Sequence, residues 1–248
     1  MPTATQLSGD GHPPTQAEER NRLLKALAPE VYKRFVDEGE SLEFSSRQVL
    51  WPPLAPIRSV YFPRSCVVSL IVPLEDERPI EAATVGNEGY VGAPVALGVS
   101  ATTMTALAQV PGMGLRFPAA TFSSMVSDHA GLRRMMLAYA HTLLEQAAQT
   151  VACNRRHDLS ERCARWLLMT HDRVGINPFS LTQEFLAVML GVRRASVTVA
   201  AGALQKAGFL RYSRGRVEVL DRVGLEGASC ECYRILDDSY NRSIKTRE

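Results

Sequence analysis

At Phe117 the hydrophobic period of this chain changes, and few folds accommodate what lies on both sides of that change. From Ser41 to Phe117 the apolar residues come in short β-branched or aromatic runs: Val49-Leu50-Trp51, Ser59-Val60-Tyr61-Phe62, Val67 to Val72, Glu81 to Val85 and Met104 to Val110. Proline, glycine and acidic residues separate them, the pattern of strands that close into a barrel or sandwich. Pro73 to Arg78 reads as a solvent-exposed hairpin connection. After Phe117 apolar residues recur every three or four positions, which is helical spacing. Strands segregated before helices give an α+β fold. Ahead of the strands, Leu23, Leu24, Leu27, Val31 and Phe35 predict one or two short helices. Residues 1–20 are rich in Thr, Gly, Pro and Gln, lack a signal-peptide layout, and read as a disordered tail.

The segment His129 to Asn154 contains no proline and one glycine, Gly131, so it supports a helix of about seven turns. It carries two apolar stripes. Leu132, Met136, Tyr139 and Leu143 form one; Leu137, Ala140, Leu144, Ala147 and Val151 form the other. A surface helix needs a single stripe. Two stripes suggest a helix lying on its own domain and on a partner helix, with Leu132, Met136, Tyr139 and Leu143 assigned to the dimer interface. The alternative is a helix buried between two layers of one chain. Asp158 or Ser160 then caps a helix from Glu161 to about Arg173, and Gly175, Asn177 and Pro178 interrupt the chain.

The segment 181–220 carries the function. Thr182 caps a short helix whose inward residues are Phe185, Leu186, Met189 and Leu190, and Gly191 allows a sharp turn in the left-handed region. A second helix opens near Arg193 and runs to Lys206, burying Val197, Ala200, Ala201 and Leu204. Arg194, Ser196 and Thr198 stand near its start, outside the buried set. A DNA-recognition helix presents its first residues to base edges in this way, arginine pairing bidentately with guanine. Leu210 and Tyr212 then alternate with Arg211 and Ser213. Arg214, Gly215 and Arg216 form a tight basic tip, and Val217 and Val219 return the strand, a two-stranded wing suited to a DNA backbone or minor groove. Thr182, Gln183, Arg193, Arg194, Ser196, Thr198, Arg214 and Arg216 are the expected DNA-binding residues. Helix, turn, basic helix and basic wing in succession outweigh the reading of a protein-interaction module.

Charge supports this. The 248 residues carry a net charge of only +2. Residues 191–222, however, hold seven Arg and Lys against Glu218 and Asp221, whereas residues 21–128 hold nine basic against eleven acidic groups. A polyanion partner for the C-terminal part follows. Gly89 to Leu115 is free of charge, but Pro94, Pro111, glycines and threonines interrupt it, so no membrane span is expected.

On these residues the chain resembles the Crp/Fnr superfamily of bacterial regulators. The resemblance runs from about Leu23 to Tyr233. It includes Val60 to Pro63, Val85-Gly-Asn-Glu-Gly-Tyr-Val-Gly92, Ala164 to Arg173 and, most specifically, 181–220. It implies a jelly-roll, cyclic-nucleotide-binding-like sensor barrel (21–127), a dimerisation helix (128–157), a winged helix-turn-helix (158–223) and a C-terminal helix or tail (224–248). It further implies a homodimer on palindromic double-stranded DNA in the cytoplasm, with RNA polymerase and an unknown small-molecule effector as candidate further partners. Two departures matter. Members that bind cyclic AMP carry Gly-Glu and later Arg-Ser in the barrel; here Gly92 precedes Ala93, the later position reads Thr102-Thr103, and no Arg or Lys lies between Arg78 and Arg116. Burying a phosphate without a cation is costly, so cyclic AMP control is not expected. The family's Arg-Glu-x-x-x-Arg recognition pattern keeps only Arg194, with Ala195 and Val199 in the other places.

The five cysteines, Cys66, Cys153, Cys163, Cys230 and Cys232, follow no secreted disulfide pattern and fit a reducing compartment. Cys153 and His157, four apart, would share a helix face and could hold a metal or tune a thiolate; the favoured reading is a core thiol beside a helix-capping histidine. Cys230 and Cys232 alone make an incomplete zinc set. No metal or cofactor is therefore expected, with a thiol- or metal-dependent redox regulator as the alternative. An enzyme is disfavoured: Cys153 and His157 are the one nearby nucleophile–base pair, and the glycines 86, 89 and 92 lack phosphate-loop spacing and read as turns.

Overall fold

The computed structural model describes residues 14–75 and 79–245. Helices α1 (Arg22–Lys25) and α2 (Pro29–Glu38) lead in, the first capped by the Asn21 side chain and the second opened by proline, whose missing N–H costs nothing there. The strands β1 (Glu40–Phe44), β2 (Val49–Trp51), β3 (Ser59–Pro63), β4 (Val67–Val72), β5 (Ile80–Val85), β6 (Thr105–Val110) and β7 (Gly112–Pro118) follow, with the short helix α3 (Ala93–Ala96) between β5 and β6. They form two antiparallel sheets, ordered β1-β7-β3 and β2-β6-β4-β5. The apolar runs read from sequence are β2 to β6. The strands β1 and β7 gave no run because glycine and charged residues interrupt them. β4 and β5 pair from Val68↔Val85 to Val72↔Ile80, so the expected hairpin connects them. Its residues 76–78 lie outside the described ones.

The N-terminal expectation needs correction. Residues 1–13 lie outside the described ones, but residues 14–20 are packed rather than loose. Glu19 is buried and ion-paired with Arg64 at 2.8 Å, and Tyr32 Oη donates to the Pro14 carbonyl at 2.8 Å. Those partners come from distant segments, so local composition does not announce them.

Past β7 come α4 (Ala119–Asp128) and the long α5 (Ala130–Arg156). Leu132, Met136, Tyr139 and Leu143 of α5 are buried in the chain's own core with Phe35, Phe62, Tyr90, Phe117 and Phe122. This overturns their assignment to a dimer interface: they face the barrel. Spacing identifies a buried stripe but not what buries it. The approach is close, with the Tyr139 and Tyr90 rings 5.4 Å apart. A Cβ on Gly89 would fall 1.8 Å from Tyr139, and one on Gly86 2.4 Å from Arg173. These glycines admit neighbouring helices, a stricter demand than a turn. The other stripe stays in solvent, with Leu144 67% and Val151 72% exposed and Leu137 also exposed.

The C-terminal part comprises α6 (Leu159–Val174), β8 (Phe179–Ser180), α7 (Gln183–Leu190), α8 (Arg194–Lys206), β9 (Leu210–Ser213), β10 (Arg216–Val219), α9 (Arg222–Gly227) and α10 (Cys232–Lys245). Asp158 caps α6 in a reciprocal capping box with Glu161. A second core joins Trp166, Leu167, Phe185, Leu186, Val197 and Leu204 to Val67, Ile71 and Val110 of the barrel. Polar bonds reinforce that junction. Arg173 pairs with Glu88 at 3.0 Å, both side chains 5% exposed, and Trp166 Nε1 donates to Glu81 at 2.9 Å. Helix α10 packs back on α5. Among the described residues no single helix is long and apolar enough to cross a membrane.

Candidate nucleic-acid interface

The Thr182 hydroxyl accepts from the Phe185 N–H at 3.2 Å and starts α7. Gly191 ends it at φ 63°, ψ 38°, a left-handed conformation that a side chain would strain. Helix α8 then leaves at 102° to α7, within the range of helix-turn-helix motifs. Val197, Ala200, Ala201 and Leu204 anchor α8 in the core as expected. The opposite face presents Arg193, Arg194, Ala195, Thr198 and Val199 to solvent, with Ser196 half-buried. Val199 is 74% exposed.

Two contacts across the motif orient this face. Arg194 Nη1 lies 2.8 Å from Glu184 Oε1, and Thr198 Oγ1 donates to Gln183 Oε1 at 2.9 Å. Glu184 escaped the sequence reading, although an acid in the first turn of α7 stands near any arginine that opens α8. In the wing, Arg214 and Gly215 both have positive φ, 50° and 74°, the backbone of a tight hairpin turn matched to strand twist. Arg214 and Arg216 are exposed at this tip. The strand β8 pairs with β10 and makes the wing sheet three-stranded, and Tyr212 Oη donates to the Leu181 carbonyl at 2.9 Å. The eight expected DNA-binding residues thus lie on α7, α8, the turns that open them, and the wing. All are exposed except Gln183 and Ser196, which are half-buried.

The Cys153–His157 pair and the Cys230–Cys232 pair are brought together. Cys153 near the end of α5 and His157, its C-cap, meet Cys230 and Cys232 at the junction of α9 and α10. Sequence spacing showed each pair but not their convergence.

A barrel, a long helix and a winged helix-turn-helix, in that order and with a basic exposed face on α8 and the wing, are the arrangement that DNA-reading proteins use. Residues 161–228 match the family model of the Crp-like helix-turn-helix domain. The fold is similar to that of FixK2 from Bradyrhizobium japonicum, at TM-score 0.64 and 16% identity over 77% of this chain and 98% of that one. It is also similar to a putative transcriptional regulator of the Crp/Fnr family from Eubacterium rectale, at TM-score 0.62 and 18% identity over 83% and 96% of the two chains. A CRP-family transcriptional regulator from Thermus thermophilus gives TM-score 0.62 and 21% identity over 77% and 99%. No curated protein sequence matches significantly. Residues 161–228 thus form a Crp-like helix-turn-helix domain, and the chain as a whole shares the fold of these regulators.

Proposed function

We propose that this regulator binds a palindromic operator as a homodimer, placing the N-terminal part of α8 from each protomer in successive major grooves. The observation that carries the reading is the pairing of an anchored, basic α8 with an uncovered apolar stripe on α5. Leu137, Leu144 and Val151 recur every seven residues on that stripe, with Ala140 and Ala147 three residues after the first two. Such spacing is a coiled-coil seam, and the alanines allow two helices to approach. The seam is therefore the second of the two stripes rather than the one first assigned. Two-fold symmetry then demands an inverted repeat with half-site centres about 10–10.5 base pairs apart.

Cyclic AMP is not the effector in this reading. Ala93, at the start of α3, follows Gly92, and the chain from 79 to 115 supplies no cation for a cyclic phosphate. Control by another small molecule would act as a population shift about a hinge near Arg156 to Ser160, where α5 gives way to α6. RNA polymerase is the natural further partner of an operator-bound dimer, and the cytoplasm its compartment.

Selection of bound duplexes from random DNA tests the proposal. Enrichment of an inverted repeat with one-turn spacing is expected; failure to retain any duplex in dilute salt would overturn it. Calorimetric titration with cyclic AMP should give no heat of binding, and micromolar affinity would refute that part.

A further inference from the structure

We propose that Cys153, His157, Cys230 and Cys232 form a zinc(II) site, a Cys3His set that locks the DNA-reading unit to the end of α5. The four ligand atoms all lie within 4.8 Å of one another. Cys153 Sγ and Cys230 Sγ are 3.6 Å apart, and Cys232 Sγ is 3.6 Å from His157 Nδ1. Zinc bonds of about 2.3 Å to sulfur and 2.0–2.1 Å to nitrogen, arranged tetrahedrally, require edges of about 3.8 and 3.6 Å. A disulfide needs sulfurs about 2.05 Å apart and would leave Cys232 and His157 without a role.

The surroundings suit a metal. The second imidazole nitrogen, Nε2, lies 3.0 Å from the Glu231 carboxylate, the histidine–carboxylate relay that orients a ligating ring. Gln149 Nε2 points at Cys232 Sγ from 3.0 Å, as an amide donor does toward a bound thiolate. Three thiolates and one imidazole around zinc carry a net charge of −1. Arg165 is 4% exposed, forms no ion pair among the described residues, and acts electrostatically on Cys153 and Cys230. The Glu81 carboxyl is also within its electrostatic reach, and an anionic metal centre would add to the counter-charge of this buried cation. Binding releases three thiol protons per zinc ion.

The ligands also explain why the centre would sit here. The chain enters the winged unit just after His157 and leaves it just before Cys230. Cys153 and Cys230 are 77 residues apart in sequence. One ion would close that loop and hold both ends of the winged unit against α5.

Full-length protein purified without oxygen tests the site by elemental analysis and thiol titration. One zinc per chain is expected, released as three thiols react, and restored when the apoprotein is given zinc chloride. Cobalt(II) in its place should give tetrahedral visible bands and strong thiolate-to-cobalt charge transfer in the wild-type chain, a reading that needs no variant to fold. Cys232→Ser should abolish stoichiometric zinc and the charge-transfer intensity due to one thiolate, while Cys66→Ala keeps both. The exposed Glu231→Gln should weaken zinc affinity about tenfold or more without altering the circular dichroism. A wild-type apoprotein that takes neither zinc nor cobalt would overturn the proposal. So would iron with acid-labile sulfide in place of zinc, a Cys153–Cys230 disulfide in the native chain, or unchanged zinc in Cys232→Ser.

Discussion

Arg194 stands 2.8 Å from Glu184, yet both side chains are largely exposed. An exposed pair of this kind is worth only about 0–1 kcal/mol, so the guanidinium can exchange the carboxylate for a guanine edge. Arg194→Ala is expected to cost about 1–3 kcal/mol on the selected operator and to relax preference at one base pair, read by competition binding. Arg216→Ala should weaken all duplexes alike and reduce the slope of log affinity against log salt by about one. Ala195 and Val199, beside Arg194 on the open face, offer no hydrogen bond and suit a thymine methyl. Away from DNA, burial pushes the Glu81 carboxyl from 4.5 up to about 7, against the lowering effect of the Trp166 hydrogen bond. The folded chain therefore holds this proton to higher pH than the unfolded chain does. The stabilisation from this group is complete below about pH 4.5 and is lost as pH rises through about 7. Glu81→Gln, which keeps an acceptor for Trp166, should flatten the decline in urea midpoint across that window.

Helix α5 separates two functions by face. Its buried side is part of the barrel core, so Met136→Ala should lower unfolding free energy by about 2–5 kcal/mol and leave the association state intact. Its open side is the proposed seam, so Leu144→Asp should yield a folded monomer in sedimentation and lose affinity for the palindrome. The opposite pattern, a dimer lost through Met136 and kept through Leu144, would reverse the two faces. The α7–α8 pair and its wing were legible in advance because each part has a local signal. Thr182 caps, Gly191 turns, Val197 to Leu204 repeat at helical spacing, and Arg214-Gly215 closes a tight hairpin. Strands β1, β7 and β8 had no such signal and form through their neighbours.

In the whole molecule the winged unit is docked on the barrel through apolar contacts and the buried Arg173–Glu88 pair. Removing one partner from such a pair leaves a charge buried alone. Glu88→Gln is expected to cost about 3–5 kcal/mol and to raise amide exchange along α6. This junction connects β5 and the segment after it to α6. The primary structure was sufficient for the alternation of strands, the helical periods, a cap at Asp158 or Ser160 and the helix-turn-helix, because these depend on residues a few positions apart. Folding in three dimensions chose which stripe of α5 meets the barrel, seated Glu19 on Arg64, and gathered four candidate ligands from positions 153 to 232. Those outcomes are pairings across tens of residues. Several partners were locally acceptable for each, and packing selected among them.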